Sequence, residues 1–123
     1  MIAEQNAYKF ALDWIDSWNS HDLDRVMSHY DKDVEYFSPF VAKLGSNELG
    51  RLSGKENVRN YLQKGLEAYP DLHFILGNVF IGIASIMLQY QSVNNLLAAE
   101  VFELNNQGLA VRVQCHYKEL TIS

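Results

Sequence analysis

The sequence carries a single cysteine, Cys115, and only two prolines in 123 residues. One thiol cannot close an internal disulfide, so the core alone must hold the fold, and a reducing compartment suits it. Basic residues number 10 against 15 acidic ones, for a formal net charge of -5, and they are scattered along the chain. That distribution excludes a phosphate-tracking surface for nucleic acid and a polybasic membrane anchor. No apolar run is long enough to span a bilayer: the stretch from Phe74 to Leu88 is broken by Gly77, Asn78, Gly82 and Ser85. Met1-Ile2-Ala3-Glu4-Gln5 has neither the basic nor the apolar part of a secretory leader, so a cytoplasmic location is expected. No repeat, linker or low-complexity tract divides the chain, and residues 1–123 are expected to form one domain.

What is present is a 48% hydrophobic composition arranged in two periods. Ala7, Phe10, Ala11, Trp14, Ile15 and Trp18 recur at three and four, the stripe of an amphipathic helix ending near Asn19-Ser20-His21. Asp22 suits the N-cap of a second short helix, Leu23 to Tyr30. Val34 to Ser38 reads as a strand that Pro39 stops, and Val41 to Gly54 as a loop with at most one short strand. A third helix opens near Gly54 or Lys55, with Val58, Tyr61, Leu62 and Leu66 on its stripe and Pro70 beyond its end.

The remainder is strand-rich. Leu72 to Ile83 and Ile86 to Val93 are the first two segments. Asn94-Asn95 turns into Leu96 to Leu104, and Asn105-Asn106-Gln107-Gly108 into Leu109 to Tyr117, with a continuation toward Ile122. Helices followed by consecutive antiparallel strands predict an α+β fold. Between Leu96 and Leu104, Leu96, Ala98, Glu100, Phe102 and Leu104 fall on one side and Leu97, Ala99, Val101 and Glu103 on the other. Both sides are largely apolar, so a second copy of the chain is expected to cover the outer one as a homodimer.

Several segments, taken in order, resemble a known family. Trp18-Asn19-Ser20-His21-Asp22-Leu23-Asp24, then His29-Tyr30-Asp31-Lys32-Asp33-Val34 and Pro39, are similar to the opening of SnoaL-like and ketosteroid-isomerase-like proteins of the NTF2-like superfamily. Leu52-Ser53-Gly54-Lys55-Glu56-Asn57-Val58-Arg59, Tyr69-Pro70-Asp71-Leu72 and Gly108 through Tyr117 extend the resemblance over nearly the whole chain. It implies a cone: three helices in the N-terminal half packed on a strongly curved antiparallel sheet, enclosing an apolar pocket, often dimeric through the outer sheet face. It implies no single activity, since the family holds isomerases, cyclases, dehydratases, epoxide hydrolases and non-catalytic binders.

Carried over residue by residue, the resemblance to ketosteroid isomerases puts Ser38 where those enzymes have their general-base aspartate. Trp14 falls at their helix tyrosine and Glu100 at their oxyanion-hole aspartate. A serine hydroxyl needs a separate base, and an indole N–H donates a hydrogen bond without transferring a proton. Only the carboxyl is retained, so that mechanism is not expected here. Glu100, flanked by Ala98 and Phe102, is the candidate acid, base or hydrogen-bond donor, because desolvation raises a carboxyl pKa. The alternative is a structural acid paired with Arg or Tyr.

Trp14, Trp18, Tyr30, Phe37, Tyr61, Phe74, Tyr90, Phe102 and Tyr117 are expected to face inward, with Val113 on the face of Cys115 and Tyr117. Together with Ser38 they are the candidate ligand-contacting set, although large apolar residues also simply fill cores. The histidines at 21, 29, 73 and 116 have no metal-ligand spacing, so no metal and no cofactor is expected. Arg112 is expected to pair with Glu103 across strands, and Cys115 to be a buried apolar residue. Three functions stay open. The chain is an enzyme that moves a proton on an apolar carbonyl-bearing or cyclic substrate, a binder of an apolar ligand, or an interaction module with a vestigial pocket.

Overall fold

The computed structural model describes residues 1–43 and 48–119. Ser46, Asn47 and Ile122, which the sequence assigns to a loop and a strand continuation, lie outside the described residues. Helix α1 (Glu4–Asn19) buries the expected stripe. Asp22 caps α2 (Leu23–Met27) by accepting from the Arg25 N–H at 3.2 Å. Strand β1 (Tyr30–Phe37) leads into a short helix α3 (Pro39–Lys43), then β2 (Arg51–Ser53) and α4 (Lys55–Ala68). Four strands follow: β3 (Ile75–Ile81), β4 (Ser85–Gln91), β5 (Leu96–Leu104) and β6 (Ala110–Glu119).

Two expectations are corrected. The described residues hold four helices, not three. Pro39 ends the strand as expected, but it also opens α3: its missing N–H is no loss in a first turn, and the Ser38 Oγ accepts from the Phe40 N–H at 3.2 Å. The sheet is mixed, not antiparallel. Its order is β2-β1-β6-β5-β4-β3, and β1 runs parallel to β6 while the other neighbours are antiparallel. The two edge strands do not meet, so the sheet does not close.

Turn chemistry sets the β4–β5 hairpin. Asn94 and Asn95 take φ of 56° and 58°, the left-handed region that asparagine tolerates better than most residues. The resulting register places Glu100 opposite Leu88 on β4 and Cys115 on β6. Alternation then sends Ala98, Glu100 and Phe102 to the helix side, where all three are buried.

The end of α1 is tied to the start of the β-rich half. The Asn19 side chain donates to the Phe74 carbonyl at 2.9 Å and accepts from the Phe74 N–H at 2.6 Å. His21 bonds the Leu72 carbonyl through Nε2 at 2.9 Å. These bonds hold the chain ahead of β3 against the helix and bring Phe74 onto Trp14 and Trp18.

Candidate functional site

A cavity of about 340 Å³ lies between the inner sheet face and helices α1, α3 and α4. The hydrophobic stripe of α1 supplies Trp14 and Trp18, and β3 is preceded by Phe74. Tyr90 and Glu100 come from β4 and β5, Tyr117 from β6 and Tyr61 from α4. Of the residues expected from the sequence, these seven line the cavity. Their rings form one interlocked wall: Trp14 meets Tyr90 edge-on at 5.3 Å and stacks on Phe74 at 6.0 Å, and Phe74 lies 4.8 Å from Tyr90. Offset and edge-on pairs of this kind add to the stabilisation from buried area.

Glu100 is 2% exposed in this wall. Burial pushes its carboxyl up to about 7, because the charged form loses solvation. The Tyr90 phenol donates to Oε1 at 2.7 Å, and the Cys115 thiol is a second hydrogen-bonding neighbour. Both bonds favour the carboxylate and pull the value down without overcoming burial. The result is a carboxyl that takes up and releases a proton near neutral pH. The neighbouring groups do not compete for that role. Burial raises the phenols of Tyr30, Tyr36 and Tyr90 and the thiol of Cys115 well above their ordinary values, so they remain protonated.

The other expected residues are placed elsewhere. Tyr30 is buried behind the wall, where its hydroxyl accepts from Trp14 Nε1 at 3.1 Å. Trp14 therefore already spends its N–H within the protein. Phe102 and Val113 are fully buried core residues. Ser38 is buried as the cap of α3 and bonds Tyr61. Phe37 is a correction of face: it points away from the cavity, beneath the guanidinium of Arg112 at 4.7 Å. The signal was in the alternation. Glu35 faces outward, bound to Arg51 at 2.9 Å, so Phe37 two residues on must face outward and Tyr36 inward.

Tyr36, Phe40, Leu62 and Leu72 line the cavity inside the fold and were not among the expected site residues; Phe40 packs edge-on against Tyr117 at 4.7 Å. Phe40 belongs to α3, which the residue pattern had hidden in a loop. Lys64, Gly65, Tyr69 and Asn94 were missed at the rim. Arg112 does pair with Glu103, at 3.5 Å between directly opposed positions. His29 is more buried than its place at a helix end implied, 2.8 Å from Asp13 and remote from the cavity. The indole N–H of Trp18 is buried with no hydrogen-bond partner among the described residues. No group of three or more His, Cys, Asp or Glu that could hold a metal ion occurs among the described residues.

The model of the SnoaL-like domain matches residues 11–113, from mid α1 to the centre of β6. The chain belongs to the SnoaL-like family. It is similar to a SnoaL-like protein of unknown function from Burkholderia thailandensis, with 37% identity, a TM-score of 0.92, and 95% of this chain and 98% of that one covered. A candidate ketosteroid isomerase from Kribbella flavida shares the fold at 17% identity and a TM-score of 0.72, over 97% of this chain and 82% of that one. So does the epoxide hydrolase/cyclase-like enzyme SalBIII of pyran ring formation in the polyether salinomycin, at 15% identity and 0.76, over 96% and 95%. At such identities the likeness is one of fold alone. Among curated proteins none matches. The family assignment and the α+β, NTF2-like fold thus agree with the expectation from sequence. None of the described helices of this SnoaL-like chain is long and apolar enough to cross a membrane.

Proposed function

We propose that this SnoaL-like protein binds an apolar small molecule in the cavity and that Glu100 exchanges a proton with it. The reaction class is isomerisation, cyclisation or elimination on a carbonyl-bearing or cyclic substrate. The observation that carries this reading is Glu100 itself: a buried carboxyl on the wall of an apolar cavity, with its pKa at about 7. A general acid or base is most effective when its pKa lies near the working pH. As a carboxylate Glu100 would remove a proton beside a carbonyl, and as the acid it would return that proton to another atom of the same molecule.

The test is turnover by wild type and Glu100→Gln on any substrate found by screening cyclic ketones and epoxides. Loss of the proton carrier should lower kcat by at least about a hundredfold, with ligand binding retained. Full turnover by Glu100→Gln would end the proposal.

One observation favours a second reading, binding without reaction. Trp14 and Ser38, aligned with the proton-transferring groups of ketosteroid isomerases, are engaged structurally here, by Tyr30 and by α3. A ligand that occupies the cavity and is recovered unchanged by both proteins would establish that reading.

We propose further that the outer sheet face docks a second copy of the chain. Phe80, Met87 and Val101 stand side by side across β3, β4 and β5, with Phe80 53% and Met87 37% exposed. Such a strip on one sheet face is costly to leave in water.

A further inference from the structure

The mouth of the cavity lies between the C-terminal half of α4 and the turn that joins β4 to β5. Lys64, Gly65, Ala68 and Tyr69 line it from the helix, and Val93 and Asn94 from the turn. Asn94 donates to the Tyr69 hydroxyl at 3.1 Å, which ties the two sides together.

Gly65 is an unfavourable residue for this position. It sits within α4 with an ordinary helical backbone, where alanine would stabilise the helix. No crowding requires it, for a Cβ built there would meet nothing within 4 Å. The glycine leaves open a space on the cavity rim that no described part of the chain fills.

Lys64 adds a charge to the same rim. Of the residues that line the cavity, only Lys64 and Glu100 are ionisable as Lys, Arg, Asp or Glu, and Lys64 alone is a cation. No salt bridge holds it among the described residues. In a chain of net charge -5, this is a local positive point at the end of an apolar passage.

We propose that the ligand is an elongated apolar carboxylate. Its body passes over Gly65 into the cavity, and its anionic end stays at the mouth beside Lys64. This rests on the ligand-binding reading above and is independent of whether Glu100 transfers a proton.

The experiment titrates the protein with phenylbutyrate and with its uncharged amide, phenylbutyramide, following the fluorescence of Trp14 and Trp18. An exposed ion pair predicts that wild type binds the acid two- to five-fold more tightly than the amide at low salt, roughly the range measured for such pairs. The preference should shrink as salt is added. Lys64→Met should abolish it and Lys64→Glu should reverse it. Gly65→Ala should weaken both probes without lowering Tm, a pairing that a merely structural glycine would not give. Equal affinity for acid and amide in wild type, a preference that survives in Lys64→Met, unimpaired binding by Gly65→Ala, or no binding of either probe up to its solubility limit would each overturn the proposal. None of these outcomes bears on Glu100, whose role is decided by turnover of Glu100→Gln.

Discussion

Tyr90 and Glu100 lie diagonally across β4 and β5, and the phenol donates to the carboxyl at 2.7 Å. Tyr90 is opposite Ala98, and Glu100 is opposite Leu88. The small side chain of Ala98 leaves room beside it on the cavity face. The hydrogen bond holds the carboxyl in one orientation while burial holds its pKa near neutrality. Four predictions follow from this arrangement and from the elements that support it.

The first concerns stability against pH. Glu100 has a folded value of about 7 against an ordinary value of 4.5. Below the ordinary value both folded and unfolded chains carry the proton, and Glu100 imposes no penalty. Between the two values only the folded chain keeps it, so unfolding becomes easier as pH rises. Wild type should therefore lose about 3 kcal/mol of stability between pH 4.5 and 8 relative to Glu100→Gln. Urea denaturation of both proteins across that range checks it; parallel curves would show a carboxyl without the expected shift.

Removing the phenol should move the same group. Tyr90→Phe deletes a bond that favours the carboxylate, so the Glu100 pKa should rise further. Infrared detection of the carboxyl stretch, or carbon NMR of labelled glutamate, reads the change directly. A fall in the pKa would contradict the geometry. If the protein turns over a substrate, the limb of its pH profile that reports Glu100 should move upward with the variant.

The tie between α1 and the start of β3 should be worth more than its length suggests. Asn19→Ala removes both bonds to Phe74 and leaves two backbone groups to find other partners. A loss of about 2 kcal/mol is expected, at roughly one per bond. Because Phe74 packs on both tryptophans, their fluorescence should shift as well. Stability loss with unchanged fluorescence would mean that Phe74 is held by packing alone.

The outer face supplies a prediction on assembly. Phe80→Glu combined with Met87→Glu places charge in the apolar strip while sparing the cavity. Light scattering should give a dimer mass for wild type and a monomer mass for the double variant, with secondary structure unchanged by circular dichroism. A monomeric wild type would remove the proposed interface.

Much of this was legible along the chain. The stripe from Ala7 to Trp18, the cap at Asp22 and the turn at Asn94-Asn95 are local patterns with local causes, and the structure follows them. Period-two alternation put Glu100 on one face with Ala98 and Phe102, the family resemblance implied that this face lines the pocket, and the hairpin register of the structure buries it there. Phe37 and Tyr36 were interchanged because two adjacent aromatics satisfy either phase, and only the ion pair of Glu35 with Arg51 breaks the tie. Phe40 was lost with α3, whose five residues are too few to display a helical period.

Residue order and chemistry by themselves determined the fold class, because strand alternation and helix stripes are set by near neighbours. The ordered motifs from Trp18 to Tyr117 carried the resemblance that named the family and singled out Glu100. Tertiary structure decided the rest. The parallel union of β1 with β6, the spending of the Trp14 N–H on Tyr30, and the meeting of Lys64 and Gly65 with the β4–β5 turn all join residues far apart in sequence. No local period records such a pairing. It exists only once the helices have a sheet to pack against, and that packing is what leaves a cavity open beside Glu100.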